Sequence, residues 1–167
     1  KAEDNKATWL VDIGDAVSHT AHICTLKNNA TMKDIARIDK KLHEFMDDND
    51  IRGARQILTP FFAAGATYDY IAFDFMTWEQ FGKNWDLALK SKEGNSLMAD
   101  YAEVEDCDAI IASVFPIMRK ESNLRSDTMI STVEWCTRRP GVSQQQLGEK
   151  HRTVASETKD STTATWG

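Results

Sequence analysis

Residues 68–90 read YDYIAFDFMTWEQFGKNWDLALK and include the clearest strand pattern in the chain. Aromatic and apolar residues alternate over 68–76, a pattern that predicts a β-strand. Thr77 and Gln80 follow with the spacing of a capping box, in which two side chains satisfy free backbone N–H groups at a helix start. The next apolar residues are three or four positions apart and define one helix face: Trp78, Phe81, Trp85 and Leu89. The stretch therefore predicts a strand and a helix over 78–90.

A similar unit precedes it. Residues 19–26 form a short segment that favours a β-strand, and Thr31 and Asp34 form another capping box. The predicted helix runs to about residue 48 with one apolar stripe, made of Ile35, Ile38, Leu42, Phe45 and Met46.

Two further strands complete the pattern. Residues 56–62 are predicted as strand 2, which Pro60 limits to an edge or an irregular end. Residues 92–95 are predicted to end the second helix, residues 96–106 to form an acidic connection, and residues 109–118 to form strand 4. The order β-α-β-β-α-β is a split βαβ arrangement and predicts an α+β fold.

The three cysteines are Cys24, Cys107 and Cys136, and no pair has the spacing of a zinc knuckle. In a sheet of order 4-1-3-2, strand 4 lies antiparallel beside strand 1, so Cys24 and Cys107 come close enough for a disulfide. Such a bond would indicate an oxidising compartment, and hence a periplasmic or secreted protein. The alternative is three unrelated buried thiols in a cytosolic protein.

A shift by 112 residues, the spacing from Cys24 to Cys136, places Thr31 and Asp34 on Ser143 and Gln146. The match predicts a partial second repeat over 129–157, with a strand over 129–137 and a helix over 143–157. The expected divisions are a lead-in over 1–14, a domain over 15–120, a linker over 121–128 and a polar tail over 158–167. A lone βα unit cannot bury its own apolar face. We therefore expect either that the chain continues past residue 167, or that the unit packs on the first domain or on a neighbouring chain.

The stretch 24–34, CTLKNNATMKD, together with the βαββαβ order, resembles the dimeric α+β barrel superfamily. This ferredoxin-like group includes antibiotic-biosynthesis-type monooxygenases, NIPSNAP-like proteins and exported bacterial tandem domains. The resemblance implies two sheets that pair face to face, and ligands held between sheet and helices. Haem-degrading members use a histidine on the second helix. The predicted helix over 78–90 has none, which argues against haem degradation.

The composition of the chain limits the classes of partner that we expect. The net charge is −6 and no Lys/Arg cluster forms a basic face, so nucleic acid is not an expected partner. No apolar run approaches the roughly 20 residues of a membrane span. No pattern predicts a cofactor or a metal. His19 and His22 are spaced H-x-x-H, but on a strand that spacing puts them on opposite faces.

Asp74 is the most informative polar residue because it lies mid-strand between Phe73 and Phe75. If the phenylalanine face packs under the helices, then Tyr70, Ala72 and Asp74 face a partner sheet. A carboxylate there could have a raised pKa and act as a base, whereas the simpler interpretation is a structural, hydrogen-bonded aspartate. Trp78 and Trp85 are candidates for lining a ligand pocket, although a helical stripe of this kind is more often core.

The sequence thus predicts an exported α+β barrel module that self-associates, has no identifiable catalytic centre, and has a small apolar ligand as one option. The first alternative is a small cofactor-independent monooxygenase or isomerase, with Asp74, Tyr70 and His22 in the pocket. The second is a structural subunit completed by strand exchange. We expect a homo-oligomer or a tandem pairing rather than a monomer, because an apolar sheet face should meet another sheet.

Overall fold

The computed structural model describes residues 16–61, 65–114 and 137–157. The chain divides into two compact units, one of which spans Val17–Ser113. The helices and strands of that unit are β1 (Val17–Leu26), α1 (Met32–Asp48), β2 (Ala54–Leu58), β3 (Tyr70–Met76), α2 (Trp78–Lys90), α3 (Lys92–Val104) and β4 (Glu105–Val114).

The four strands form one sheet in the order β2-β3-β1-β4. β3 pairs antiparallel with both β1 and β2. The contacts between β1 and β4 also run in opposite chain directions, since the Lys27 N–H donates to the Val104 carbonyl and the Thr25 hydroxyl to the Asp106 carbonyl. This order and connectivity define the ferredoxin-like fold, so the fold prediction is confirmed.

One face of the sheet packs under the helices. Ile35 of α1 forms a buried cluster with Cys24, Tyr70 and Ala72, with Val104 at its margin. Tyr70, Ala72 and Asp74 therefore lie under the helices, and the expectation that the phenylalanine face lies there is wrong. Two features explain why this face packs under the helices. The small side chains of Cys24 and Ala72 let a helix approach closely, and charged partners of Asp74 lie on that side.

The opposite face carries the phenylalanines. Ala21, Ile71 and Phe73 form its centre, with Phe75 packed beside them. Ile71 and Phe73 are only 5% and 7% exposed within the single chain. Tyr70 and Ala72 are fully buried in the cluster with Ile35, so the premise that they lie on a sheet face left uncovered by the helices is also wrong.

Three predicted boundaries differ from the structure. β2 ends at Leu58, before Pro60, whose missing N–H cannot extend the ladder. Residues 92–104 form α3, rather than a helix end over 92–95 and an acidic connection over 96–106, because Ser91 caps a new helix by accepting from the Gly94 N–H at 2.9 Å. β4 starts at Glu105, four residues earlier than predicted, so Cys107 lies inside the strand.

The second unit contains α4 (Gln144–Glu157). The predicted capping box is present, since the Ser143 N–H donates to Gln146 Oε1 at 2.8 Å and the Gln146 N–H to Ser143 Oγ at 3.2 Å. The strand predicted over 129–137 lies almost wholly outside the described residues. That α4 belongs to a repeat of the first domain stays a prediction.

Candidate functional site: a charged cluster between sheet and helices

Three neighbouring strands bring charged side chains together on the face under the helices. Arg55 of β2 lies directly opposite Asp74 of β3 in the antiparallel register. His22 of β1 pairs with Ala72, two residues from Asp74 on the same face. Asp39 of α1 and Tyr101 of α3 complete a group that we name the Arg55 cluster: Arg55, Asp74, His22, Asp39 and Tyr101.

Arg55 is the centre of this cluster. Its Nη1 lies 3.1 and 2.9 Å from the two carboxylate oxygens of Asp74, and its Nε lies 3.1 Å from Asp39 Oδ1. The guanidinium carbon also lies 5.6 Å from the centre of the Tyr101 ring, within the range of a cation–π contact. Burial by itself lowers the pKa of Arg55, but the negative charges of Asp74 and Asp39 outweigh burial, so the pKa rises and the guanidinium stays charged.

Asp74 is held as a carboxylate. Burial alone would raise its pKa, but the hydrogen bond from His22 and the charge of Arg55 lower the pKa below the ordinary value of 3.8. His22 Nε2 lies 3.2 Å from Asp74 Oδ2. The expected rise in the pKa of Asp74 is therefore wrong, and a lowered pKa makes a carboxylate a weaker proton acceptor. That Asp74 acts as a base stays a prediction.

Two tyrosines link this region to the helices and to β4. The Tyr101 hydroxyl donates to Asp39 Oδ1 at 2.5 Å, and the Tyr70 hydroxyl donates to Glu105. Burial and the bond to Glu105 raise the pKa of Tyr70. Burial also raises the pKa of Glu105, although the bond from Tyr70 opposes that rise. The structure thus brings Tyr70, Asp74 and His22 to one face, as the enzyme hypothesis requires.

His19 lies apart from this cluster. Its ring packs on Phe73 and Phe75 on the opposite face, with centroid distances of 4.9 and 4.7 Å. Burial lowers its pKa, while the charge of Asp74 opposes that shift. The prediction that His19 and His22 occupy opposite faces is confirmed.

The candidate ligand residues Trp78 and Trp85 lie on α2 in a row with Phe81. The ring of Phe81 contacts both, edge to face, at centroid distances of 5.5 and 6.2 Å. No residue of α2 is fully buried, and Trp78 is 44% exposed. Trp78 therefore lies on the surface, whereas Phe81 and Trp85 are half-buried. Neither tryptophan lines the surface depressions beside the Asn28–Asn29 turn and between α1 and α3.

Cys24 and Cys107 are joined by a disulfide across β1 and β4, as predicted. Their sulfurs lie within 4.8 Å of a Glu105 oxygen, which is an arrangement of metal-ligand atoms. In the disulfide neither sulfur is a thiolate, the form that binds metal, so the oxidised chain does not offer this set as a metal site.

The sequence left four members of this region unrecognised: Arg55, Asp39, Tyr101 and Glu105. Tyr101 and Glu105 fell in the stretch assigned to a connection, and Asp39 reads as the polar side of an amphipathic helix. Of these four residues, only Arg55 could have been recognised as buried from the sequence, because it alternates with Ile57 on a strand and so lies on the same face as an apolar residue. A charge at such a position needs a buried partner.

No protein-family model matches the chain, and no curated protein matches it. The chain is similar to a dimeric ferredoxin-like protein of unknown function from Thermobifida fusca, with 12% identity over 60% of this chain and 90% of that one, and a TM-score of 0.41. A dimeric protein of unknown function and ferredoxin-like fold from Bacteroides fragilis has 8% identity, coverages of 61% and 97%, and a TM-score of 0.38. A hypothetical protein of Arabidopsis thaliana has 10% identity, coverages of 72% and 96%, and a TM-score of 0.43. The assignment to the ferredoxin-like fold rests on this chain's own strand order and connectivity.

Proposed function

We propose that the chain is a non-catalytic, exported module of ferredoxin-like fold that self-associates. The observation that carries the non-catalytic part is the pairing within the Arg55 cluster. Asp74 accepts from Arg55 and His22, Arg55 lies between two carboxylates, and Tyr101 donates to Asp39. Apart from Arg55 Nε, which is buried beside Asp39 without a hydrogen bond, these groups pair with one another and connect three strands with two helices, which is the arrangement of a structural ion-pair network.

Export is supported by the disulfide between β1 and β4, because such bonds persist in oxidising compartments. Among the described helices, none is both long enough and apolar enough to cross a membrane.

Self-association is supported by large apolar side chains on the surface of the Val17–Ser113 unit. In β4, Ile110 and Ile111 are 45% and 51% exposed. Adjacent exposed aliphatic residues of this kind mark interaction sites. A small apolar ligand has weaker support, because charged side chains occupy the region between sheet and helices where the superfamily resemblance places ligands.

The non-catalytic part is tested by acylating the histidines with diethyl pyrocarbonate and following each site by mass spectrometry. His43 is the control because it is exposed on α1 and is not a member of the Arg55 cluster. We expect His22 to react several-fold more slowly than His43, since its Nε2 is engaged by Asp74. Faster reaction of His22 would contradict the proposal.

The self-associating part is tested by sedimentation of the intact chain at micromolar concentration. We expect a species of about twice the 18.8 kDa chain mass. A single species of the monomer mass over the whole concentration range would contradict it.

A second candidate function is acid–base catalysis by His22, which the contact between His22 Nε2 and Asp74 favours. An aspartate that orients a histidine is a recurring catalytic arrangement. In this alternative Asp74 positions the imidazole and His22 exchanges the proton. Activated reactivity of His22 in the acylation experiment would favour it.

The second alternative from the sequence, a structural subunit completed by strand exchange, also stays a prediction.

A further inference from the structure

β4 is an edge strand of the described sheet. It is ten residues long and pairs with β1 on one side, and the sheet order places no described strand on the other. An edge strand presents a row of backbone N–H and C=O groups to solvent, and those groups can pair with a strand from another chain.

The middle of β4 lacks the features that usually protect an edge. Residues 109–112 read AIIA, with no proline, lysine or other charge. Residues 108–111 are all exposed, and alternation points Ile110 and Ile111 to opposite faces of the sheet. Proteins normally guard such edges with charges, prolines or bulges. An unguarded apolar edge therefore indicates a pairing surface.

The charges of β4 select one mode of pairing. Glu105, Asp106 and Asp108 all lie in its first half, whereas residues 109–114 carry no charge. A parallel, in-register partner would place each carboxylate beside its own copy, which is repulsive. An antiparallel partner would place the acidic half of each strand beside the uncharged half of the other.

We propose that β4 is the self-association site of this protein and that its partner is β4 of a second copy, paired antiparallel about a two-fold axis. This inference rests on the self-association included in the proposed function. The two four-stranded sheets would join into one continuous sheet through backbone hydrogen bonds, which is β-augmentation by an identical chain.

Symmetry fixes the register further. A two-fold axis that relates adjacent antiparallel strands is perpendicular to the sheet, so it keeps each side chain on its own face. One residue then lies opposite its own copy, and the exposed apolar run places that residue at Ile110 or Ile111. With Ile110 on the axis, Asp106 and Asp108 lie opposite Val114 and Ala112 of the partner, and with Ile111 on the axis Asp108 lies opposite Val114 of the partner.

The test compares the dissociation constant of the full-length protein with that of three single-lysine variants, by sedimentation. Ile110→Lys and Ile111→Lys place a charge at the proposed axis on either face. Leu89→Lys is the matched control, because Leu89 is a more exposed aliphatic residue on α2. We expect both β4 variants to raise the dissociation constant about tenfold or more, and Leu89→Lys to leave it unchanged. Since all three sites are exposed, thermal unfolding of the variants should stay close to that of the wild type.

Backbone hydrogen exchange gives a second measurement. We expect amides within 108–113 to exchange more slowly at concentrations where the dimer dominates than at dilution, and those of α2 to exchange equally at both. A dimer that survives both β4 substitutions, or that only Leu89→Lys dissociates, would overturn the β4 inference while leaving self-association intact. A wild-type chain that is monomeric throughout would overturn self-association itself, and this inference with it.

Discussion

At the scale of single residues, the Arg55 cluster has the geometry of a buried ion-pair network. The side chains of Arg55 and Asp39 are each 11% exposed and that of Asp74 is 18% exposed. When one charge of such a network is removed, its partner stays buried without a counter-charge and with little access to water. The stability lost is then larger than the net contribution of the ion pair itself. The consequence is that neutralising one member should destabilise the fold.

Asp74→Asn should therefore lower the free energy of unfolding by about 2–4 kcal/mol, because Arg55 and His22 both lose their charged acceptor. Asp86→Asn is the matched control: it breaks the exposed ion pair between Asp86 and Lys90, and it should cost less than about 0.5 kcal/mol. Urea denaturation with a common m-value measures both. Equal losses for the two variants would mean that the cluster contributes no more than a surface pair.

The same residues predict how stability depends on pH. The pKa of Asp74 is lower in the folded chain than its ordinary 3.8, so its stabilising contribution is present above pH 3.8 and is lost as pH falls through the folded pKa. The pKa of Glu105 is raised above 4.5, so its contribution has the opposite sign: it favours folding below pH 4.5 and is lost as pH rises through the folded pKa.

Glu105→Gln should consequently stabilise the protein slightly at neutral pH. The gain should be less than about 1 kcal/mol because Glu105 is only half-buried. The carbonyl of the introduced amide can still accept the hydrogen bond from Tyr70. Below pH 4 the variant and the wild type should have the same unfolding free energy. Unfolding curves at several pH values measure the difference. A variant that is less stable than the wild type at neutral pH would show that the carboxylate is favourable where it lies.

At the scale of elements, the junction between α2 and α3 depends on one glycine. A Cβ added at Gly94 would lie 2.6 Å from Ala88 Cα and 2.7 Å from the Leu87 carbonyl oxygen, so the two helices approach too closely there for any side chain. Gly82, in the middle of α2, has nothing within 4 Å of the same position. The two glycines therefore differ in what a methyl group would meet.

Gly94→Ala should destabilise the protein by about 1–3 kcal/mol, since α3 must shift away from rigid backbone atoms of α2. Gly82→Ala should stabilise it by about 0.5–1 kcal/mol, because alanine restricts the unfolded chain and favours the helix. Thermal and urea unfolding of the two variants give both signs. A Gly94→Ala variant as stable as the wild type would mean that the junction can relax without loss.

The same junction explains why the sequence predicted α1 and α2 but missed α3. Capping boxes and single apolar stripes identify α1 and α2 within local windows, and their bounds agree closely with the structure. Only Ser91 separates α2 from α3. In the local sequence Gly94 is typical of a helix end, whereas in the structure it lies within α3 where that helix packs against the backbone of α2. Alternation likewise identified both faces of β3 but not which one packs under helices, since that choice depends on Ile35, Arg55 and Asp39 from distant segments.

At the scale of the Val17–Ser113 unit, the disulfide joins its first strand to its last. Cys24 and Cys107 are 83 residues apart in sequence, so the bond closes almost the whole unit into a loop. In the chain-entropy account, a cross-link over a long loop restricts the unfolded state more than a short one does. Cys24 is fully buried, so the bond also lies within the cluster formed with Ile35 and Tyr70.

The double variant Cys24→Ser, Cys107→Ser should therefore lower the free energy of unfolding by about 2–4 kcal/mol, with β1 and β4 still paired in the folded state. The double variant without reductant and the wild type with reductant should have similar urea midpoints. Adding reductant to the double variant should change nothing, which controls for effects of the reductant elsewhere. If thiol counting shows that the wild type is fully reduced and its midpoint is nevertheless unchanged, then sheet pairing alone holds β4 on β1.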